Sequence, residues 1–139
     1  HKVIMRANLW YNLSKFREQS GSLLLAETVK RIDESKFISS QDYIKAIEFT
    51  SSLAAALANL FNEYDILITA SAPGEAPYGL NATGDPIFNR MWTVLGVPSI
   101  TLPAGTGDNG LPLGVQIIGA FNNDNQLVSM TAWIQERLL

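Results

Sequence analysis

Two stretches joined by a short polar turn decide the fold: LGVPSITLPAG at residues 95–105 and GLPLGVQIIG at residues 110–119. Apolar and β-branched residues bounded by proline or glycine predict one strand over 97–103 and another over 113–119. Between them, Asn109-Gly110 is a strong hairpin signal because both residues tolerate positive φ. The sequence therefore predicts two extended segments that lie side by side.

Residues 105–110 also match the pattern GxGxxG after a predicted strand. A dinucleotide site would need a helix to begin there, so that the helix N-terminus meets the pyrophosphate. The residues that follow, Leu111-Pro112-Leu113, begin a strand instead. We therefore interpret the glycines as turn residues and expect no cofactor site.

The connection that precedes these strands holds the candidate site. Residues 65–69 predict a short, fully buried strand, and residues 71–79 contain two prolines and two glycines that exclude regular structure. Long irregular loops in compact domains are often functional. Four residues after this loop combine apolar rings with one amide and one carboxylate, a mix that suits a small-molecule pocket. They are Asp85, Phe88, Asn89 and Trp92.

Two of these four residues have an alternative interpretation. Phe88 and Trp92 stand four residues apart on a helix predicted over 88–95, so they could simply pack that helix onto the core. Spacing alone favours packing over ligand binding for this pair.

The rest of the chain has the pattern of helices. Residues 1–62 contain no proline and show three runs of apolar residues at helical spacing, with an interruption at Gly21. The third run opens on Ser39-Ser40-Gln41-Asp42, which resembles a capping box. Residues 122–125 open a final amphipathic helix. Three helices, a strand, a loop, a short helix, two strands and a last helix indicate the α/β class.

Composition excludes several classes of function. The chain has 139 residues, enough for one domain, and a formal net charge of -3 with scattered basic residues, which predicts no nucleic-acid footprint. It has no cysteine, and no apolar run approaches the roughly 20 residues that span a bilayer. His1 is the only histidine, so a Ser-His-Asp triad has no credible base. Residues 122–125 lack the glycine and glutamate that complete a calcium loop, so we expect no metal.

The stretch from Tyr64 to Gly119 resembles the closing region of the amidase-signature family, in a form common in its general amidase branch. Four motifs show the likeness. The first is a strand followed by an Ala-Pro loop, the second joins Gly-Asp-Pro to Phe-Asn-Arg-Met-Trp-Thr, and the last two are the stretches quoted at the start. These motifs occupy residues 64–77, 83–93, 95–105 and 110–119. The leading helices match more loosely. The resemblance implies the C-terminal part of the amidase-signature fold over 1–139, a helical part (1–62) and a strand-containing part (63–139), with helices packed on a mixed β-sheet.

The resemblance also implies a function. Family members hydrolyse or transfer amides through a serine, a second serine in a cis peptide and a lysine, which lie in a glycine- and serine-rich core well upstream in relatives. This sequence contains no such core, so we expect no catalytic residue here and no turnover from this segment alone. In relatives the matching loop and helix lie along the acyl-binding cleft, which makes Asp85, Phe88, Asn89 and Trp92 candidates for its wall.

The expected partners follow from the same resemblance: a small amide substrate and the rest of a parent amidase chain, with no membrane, no nucleic acid and a cytoplasmic location. Two alternatives stay open. The segment could be a non-catalytic interaction module, or its parent could be the amidase subunit of a tRNA-dependent amidotransferase. Strand edges and apolar faces that the parent would cover also predict self-association of the isolated segment.

Overall fold

The computed structural model describes residues 1–138 and divides into two compact units, His1–Ser52 and the residues from Leu53 onward. The elements follow the predicted order, with one short 3-10 helix added at Gly21–Leu23. They are α1 (Lys2–Ser20), α2 (Ala26–Ser35), α3 (Ser40–Leu60), β1 (Leu67–Ala70), α4 (Ile87–Leu95), β2 (Ser99–Thr106), β3 (Pro112–Ile118) and α5 (Asp124–Leu138). No helix in residues 1–138 has the length and apolar character needed to cross a membrane.

In the first unit, a bidentate ion pair joins α1 to α2. The Arg17 guanidinium donates to both carboxylate oxygens of Asp33, at 2.9 and 2.8 Å. The start of α3 shows half of the predicted capping box. The Asp42 backbone N–H donates to the Ser39 hydroxyl at 3.0 Å, but the Asp42 carboxylate accepts from that same hydroxyl, at 2.7 Å, instead of from a backbone N–H.

The second unit is built on a three-stranded sheet in the order β1-β3-β2. The two stretches that decide the fold form the predicted neighbours, with Ile100 opposite Ile117 and Leu102 opposite Val115. Both pairings are antiparallel, whereas the family resemblance led us to expect a mixed sheet. A hairpin joins β2 to β3, and β1 runs parallel to β2 but is separated from it by β3. The described strands therefore contribute only antiparallel pairs to an α/β unit.

Helices cover both faces of this sheet. Successive side chains of a strand point to opposite faces, so Ile117 and Ile118 are both completely buried but in different layers. Ile117 packs with Leu102 of β2 and with two residues of α5, Leu127 and Ile134. Ile118 packs on the other side with Trp92 of α4 and Leu57 near the end of α3.

The first strand departs from its prediction. The apolar run at residues 65–69 predicted a fully buried strand, but β1 is an edge strand whose exposure alternates, and Ile68 is 58% exposed. The prediction failed because α5 packs its apolar residues over β2 and β3. A run of apolar residues does not reveal which strand lies at the edge.

Candidate functional site

An open cavity of about 620 Å³ lies where the irregular connection after β1 meets the start of α4 and the start of β3. Its wall is formed by small side chains and prolines, with two carboxylates and one amide among them. The lining consists of residues 71–77, 83–86, Asn89, Pro112 and Gly114. We call it the loop cleft. Small side chains leave room for a ligand, and the few polar groups can fix its orientation.

Two of the four predicted site residues line the loop cleft, and two do not. Asp85 and Asn89 are part of its wall. Phe88 lies on α4 with 37% of its surface exposed, outside the lining. Trp92 is buried in the core against Leu57 and Ile118, as the packing interpretation describes. Its indole Nε1 is buried without a hydrogen-bond partner among the described residues.

The charge of Asp85 is partly compensated at the rim of the cleft. Its Oδ1 lies 3.0 Å from Nη2 of Arg90, one turn along α4, and the Asp85 side chain is 56% exposed. An exposed pair of this kind contributes little to stability. The ion pair therefore matters locally, because it holds the Asp85 carboxylate next to the Arg90 guanidinium at the rim of the loop cleft.

Asn89 is hydrogen-bonded through both ends of its side-chain amide. Its Nδ2 donates to the backbone carbonyl of Ser71 at 3.1 Å, which ties α4 to the end of β1. Its Oδ1 accepts from Nε2 of Gln116 at 2.9 Å, and that same nitrogen donates to Oγ of Ser99 at 3.2 Å. Gln116 belongs to the central strand and is only 4% exposed. A hydrogen-bond network therefore connects the cleft wall at Asn89 to the buried Gln116 of the central strand.

Glu75 is a cleft residue that the sequence interpretation missed. Its carboxylate accepts from the backbone N–H of Asn109 and Leu111 and from Nδ2 of Asn109, at 2.6–3.1 Å. Loss of water around this carboxylate would raise its pKa, but hydrogen bonds from Leu111 and Asn109 outweigh that effect and hold the pKa below its ordinary value. The carboxylate therefore clamps the irregular loop to the β2–β3 hairpin. Glu75 is the only charged residue in 71–79.

Two glycines allow the cleft elements to approach each other closely. A Cβ at Gly107 would lie 2.4 Å from Cγ and Cδ of Glu75. A Cβ at Gly114 would lie 2.4 Å from Oγ of Ser71 and 2.7 Å from Cγ2 of Thr101. All these distances are far inside van der Waals contact, so a side chain at either glycine would displace the neighbouring side chains of the loop or of β2.

The described residues offer no assembled metal or dinucleotide site. Within residues 1–138, no group of three or more histidine, cysteine, aspartate or glutamate side chains could hold a metal ion. The GxGxxG pattern at 105–110 forms the end of β2 and the hairpin turn, in which Gly110 has φ of 80°. A strand follows this turn, as predicted.

Comparison with known proteins identifies the family. The profile of the protein family described as Amidase matches residues 5–128. The chain belongs to the amidase-signature family. The match covers the motifs at 64–119 and extends over nearly all of the helical part, which resembles the family more loosely in sequence. The predicted family is thereby confirmed.

Individual relatives agree with this membership. The amidase-signature chain is 35% identical over 101 residues to the A subunit of the glutamyl-tRNA(Gln) amidotransferase from Parvibaculum lavamentivorans, which corresponds to 68% of this chain and 20% of that protein. A solved amidase structure has the same fold over 99% of this chain and 34% of its own, with a TM-score of 0.87 and 20% identity. A 6-aminohexanoate cyclic dimer hydrolase superposes with a TM-score of 0.72 at 21% identity, over 98% of this chain and 33% of its own. The chain thus spans about a fifth to a third of the length of the relatives it matches.

Proposed function

We propose that this chain is part of an enzyme that hydrolyses carboxamides to a carboxylic acid and ammonia through an acyl-enzyme. Membership of the amidase-signature family supports this proposal, and so does the fraction of its relatives that the chain spans. Acyl transfer of this kind needs an activated serine and donors for the developing oxyanion. In our proposal a serine, a second serine in a cis peptide and a lysine provide them from outside these 139 residues.

The role we propose for this chain is to form one wall of the acyl-binding cleft. The observation that supports it is the loop cleft itself, an open cavity of about 620 Å³ beside α4. Asp85 and Asn89 would contact the acyl group, and Phe88 would extend the wall along α4. Trp92 would support the wall without contacting the acyl group, because its ring packs α4 against Ile118 of the sheet.

Ammonia release by the full-length protein that contains this chain tests the proposal. The substrates are a panel of aliphatic and aryl carboxamides, and the 139-residue chain is assayed beside the full-length protein at equal molar concentration. We expect the full-length protein to release ammonia and the isolated chain to release none. Turnover by the isolated chain would refute our placement of the chemistry, and a full-length protein inactive on every amide would refute the reaction.

A second candidate is the amidase subunit of a tRNA-dependent amidotransferase. It is favoured by the name of the Parvibaculum lavamentivorans relative, at 35% identity. Such a subunit works with partner subunits, so the two candidates differ in what they need. Hydrolysis of simple amides by the full-length protein alone supports the first candidate. Amide hydrolysis that requires co-purified partners supports the second, and inactivity in both assays supports a non-catalytic interaction module. A cytoplasmic location stays a prediction, which cell fractionation tests.

A further inference from the structure

We propose that Gln116 is a positioning residue, which holds the Asn89 carboxamide so that an N–H donor faces the loop cleft. The cleft would then prefer acyl groups that carry a hydrogen-bond acceptor, such as an ether or carbonyl oxygen, over acyl groups of the same length that are entirely apolar. This inference rests on the proposed function, because it takes the loop cleft to bind the acyl group of a carboxamide.

The orientation of both amides follows from one fixed acceptor. The backbone carbonyl of Ser71 can only accept, so the group of Asn89 that faces it at 3.1 Å must be the Nδ2 donor. Oδ1 of Asn89 then points at Gln116, and the group of Gln116 at 2.9 Å must be the Nε2 donor. The opposite orientation of either amide would place two acceptors or two donors in contact.

Counting donors shows what Asn89 has left for a ligand. Nδ2 carries two hydrogens, of which one is given to Ser71, while Oδ1 is occupied by Gln116. The second Nδ2 hydrogen has no partner among the described residues, and Asn89 lines the cleft. The cleft carboxylates are engaged as well, Glu75 by three donor groups and Asp85 by Arg90. The Asn89 amide therefore keeps one N–H for a ligand, while Oδ1, which accepts from Gln116, keeps one lone pair.

Gln116 is suited to hold this arrangement because its side chain is enclosed in the fold, where its buried Oε1 has no partner among the described residues. It is 4% exposed on the central strand, and its Nε2 is used twice, by Asn89 and by Ser99. A donor at this position satisfies Oδ1 of Asn89 away from the cleft. Without that donor, Oδ1 would lose its partner inside the fold, and only the Nδ2 bond to Ser71 would still hold the amide. The Asn89 side chain would then move more freely, and its second Nδ2 hydrogen would face the cleft for less of the time.

Paired substrates measure this preference in the full-length protein. Each pair consists of a straight-chain carboxamide and its analogue of equal length in which an ether oxygen replaces one methylene, with the oxygen stepped along the chain. The readout is the ratio of kcat/KM for the ether amide to kcat/KM for the alkyl amide. Dividing each variant's ratio by that of the wild type cancels the intrinsic reactivities of the two amides.

We expect the ratio at the best oxygen position to fall roughly threefold to tenfold in Gln116→Met, the range that one net hydrogen bond supplies. Asn89→Leu, which removes the donor itself, should lower the ratio equally. The matched control is Thr93→Val on the same helix. The Thr93 hydroxyl donates only to the backbone carbonyl of Asn89, at 2.9 Å, so the ratio of this variant should stay at the wild-type value. If Gln116→Met does not fold, Gln116→Leu gives the second reading, because its side chain also cannot donate to Oδ1.

A merely structural role of Gln116 would lower kcat/KM for both amides together and leave the ratio unchanged, and that result overturns the inference. A ratio that falls as far in Thr93→Val overturns it too. Absence of turnover on every pair refutes the proposed function instead. In that case calorimetric titration measures the affinity for each amide of a pair. An ether-to-alkyl affinity ratio that is the same in the wild type and in Gln116→Met would overturn the positioning role.

Discussion

Two isoleucines that are paired on neighbouring strands should respond very differently to the same substitution. Ile117 of the central strand is completely buried, and its partner Ile68 on β1 is 58% exposed. Isoleucine to alanine removes three carbons, or about 2.4 kcal/mol of transfer free energy at ~0.8 kcal/mol each. At Ile117 the cavity left among Leu102, Leu127 and Ile134 adds to this, which gives a loss of about 3–4 kcal/mol. At Ile68 less than half of that transfer term applies, about 1 kcal/mol.

Urea unfolding of the 139-residue chain, followed by tryptophan fluorescence, measures both losses. We expect Ile117→Ala to lower the free energy of unfolding by about 2–3 kcal/mol more than Ile68→Ala does. The matched residue type removes the same atoms in both variants, so the difference between them reports the burial and packing of the two sites. Equal losses would refute the assignment of β3 to the centre of the sheet and of β1 to its edge.

Three further predictions concern the cleft and the sheet edges. Gly107→Ala should lower the melting temperature, because the new methyl displaces the Glu75 clamp, and it should cost less in a Glu75→Ala background; equal costs in both backgrounds would contradict the clash. The lowered pKa of Glu75 stabilises the fold above its unfolded pKa of about 4.3 and loses this effect as the pH falls through the folded value. The melting temperature of Glu75→Gln should therefore fall less on acidification than that of the wild type, and parallel pH profiles would count against the clamp. The isolated chain should self-associate in sedimentation velocity, because β1 and β2 each pair on one side only among the described residues, and a monomer at every concentration would oppose this.

The sequence predicted those parts of the fold that depend on local chemistry. Asn109-Gly110 between two apolar runs predicted the hairpin, because the turn and its flanking strands are neighbours in the chain, although only Gly110 of this pair has positive φ. The edge position of β1 could not be predicted in this way, since it depends on which strands pair, and the exposure of its side chains depends on where α5 packs. The α/β class follows from the order of the elements, but strand direction depends on which strands become neighbours.

The candidate site was only partly predictable for a similar reason. Asp85 and Asn89 lie in the cleft wall, but Trp92 has the same helical spacing whether its ring faces a pocket or the core. Glu75 is separated by 34 residues from Asn109, so nothing local indicates that the two meet. Its isolation as the only charge in an irregular loop, opposite a predicted turn, is the one signal that points to it.

A crystal structure of the full-length protein with a bound, non-hydrolysable carboxamide analogue tests the central claim most directly. Our account predicts that the acyl group of the analogue lies against the loop of residues 71–77, with an acceptor atom within hydrogen-bonding distance of Nδ2 of Asn89. An acyl group bound elsewhere, with the loop cleft untouched, would contradict it.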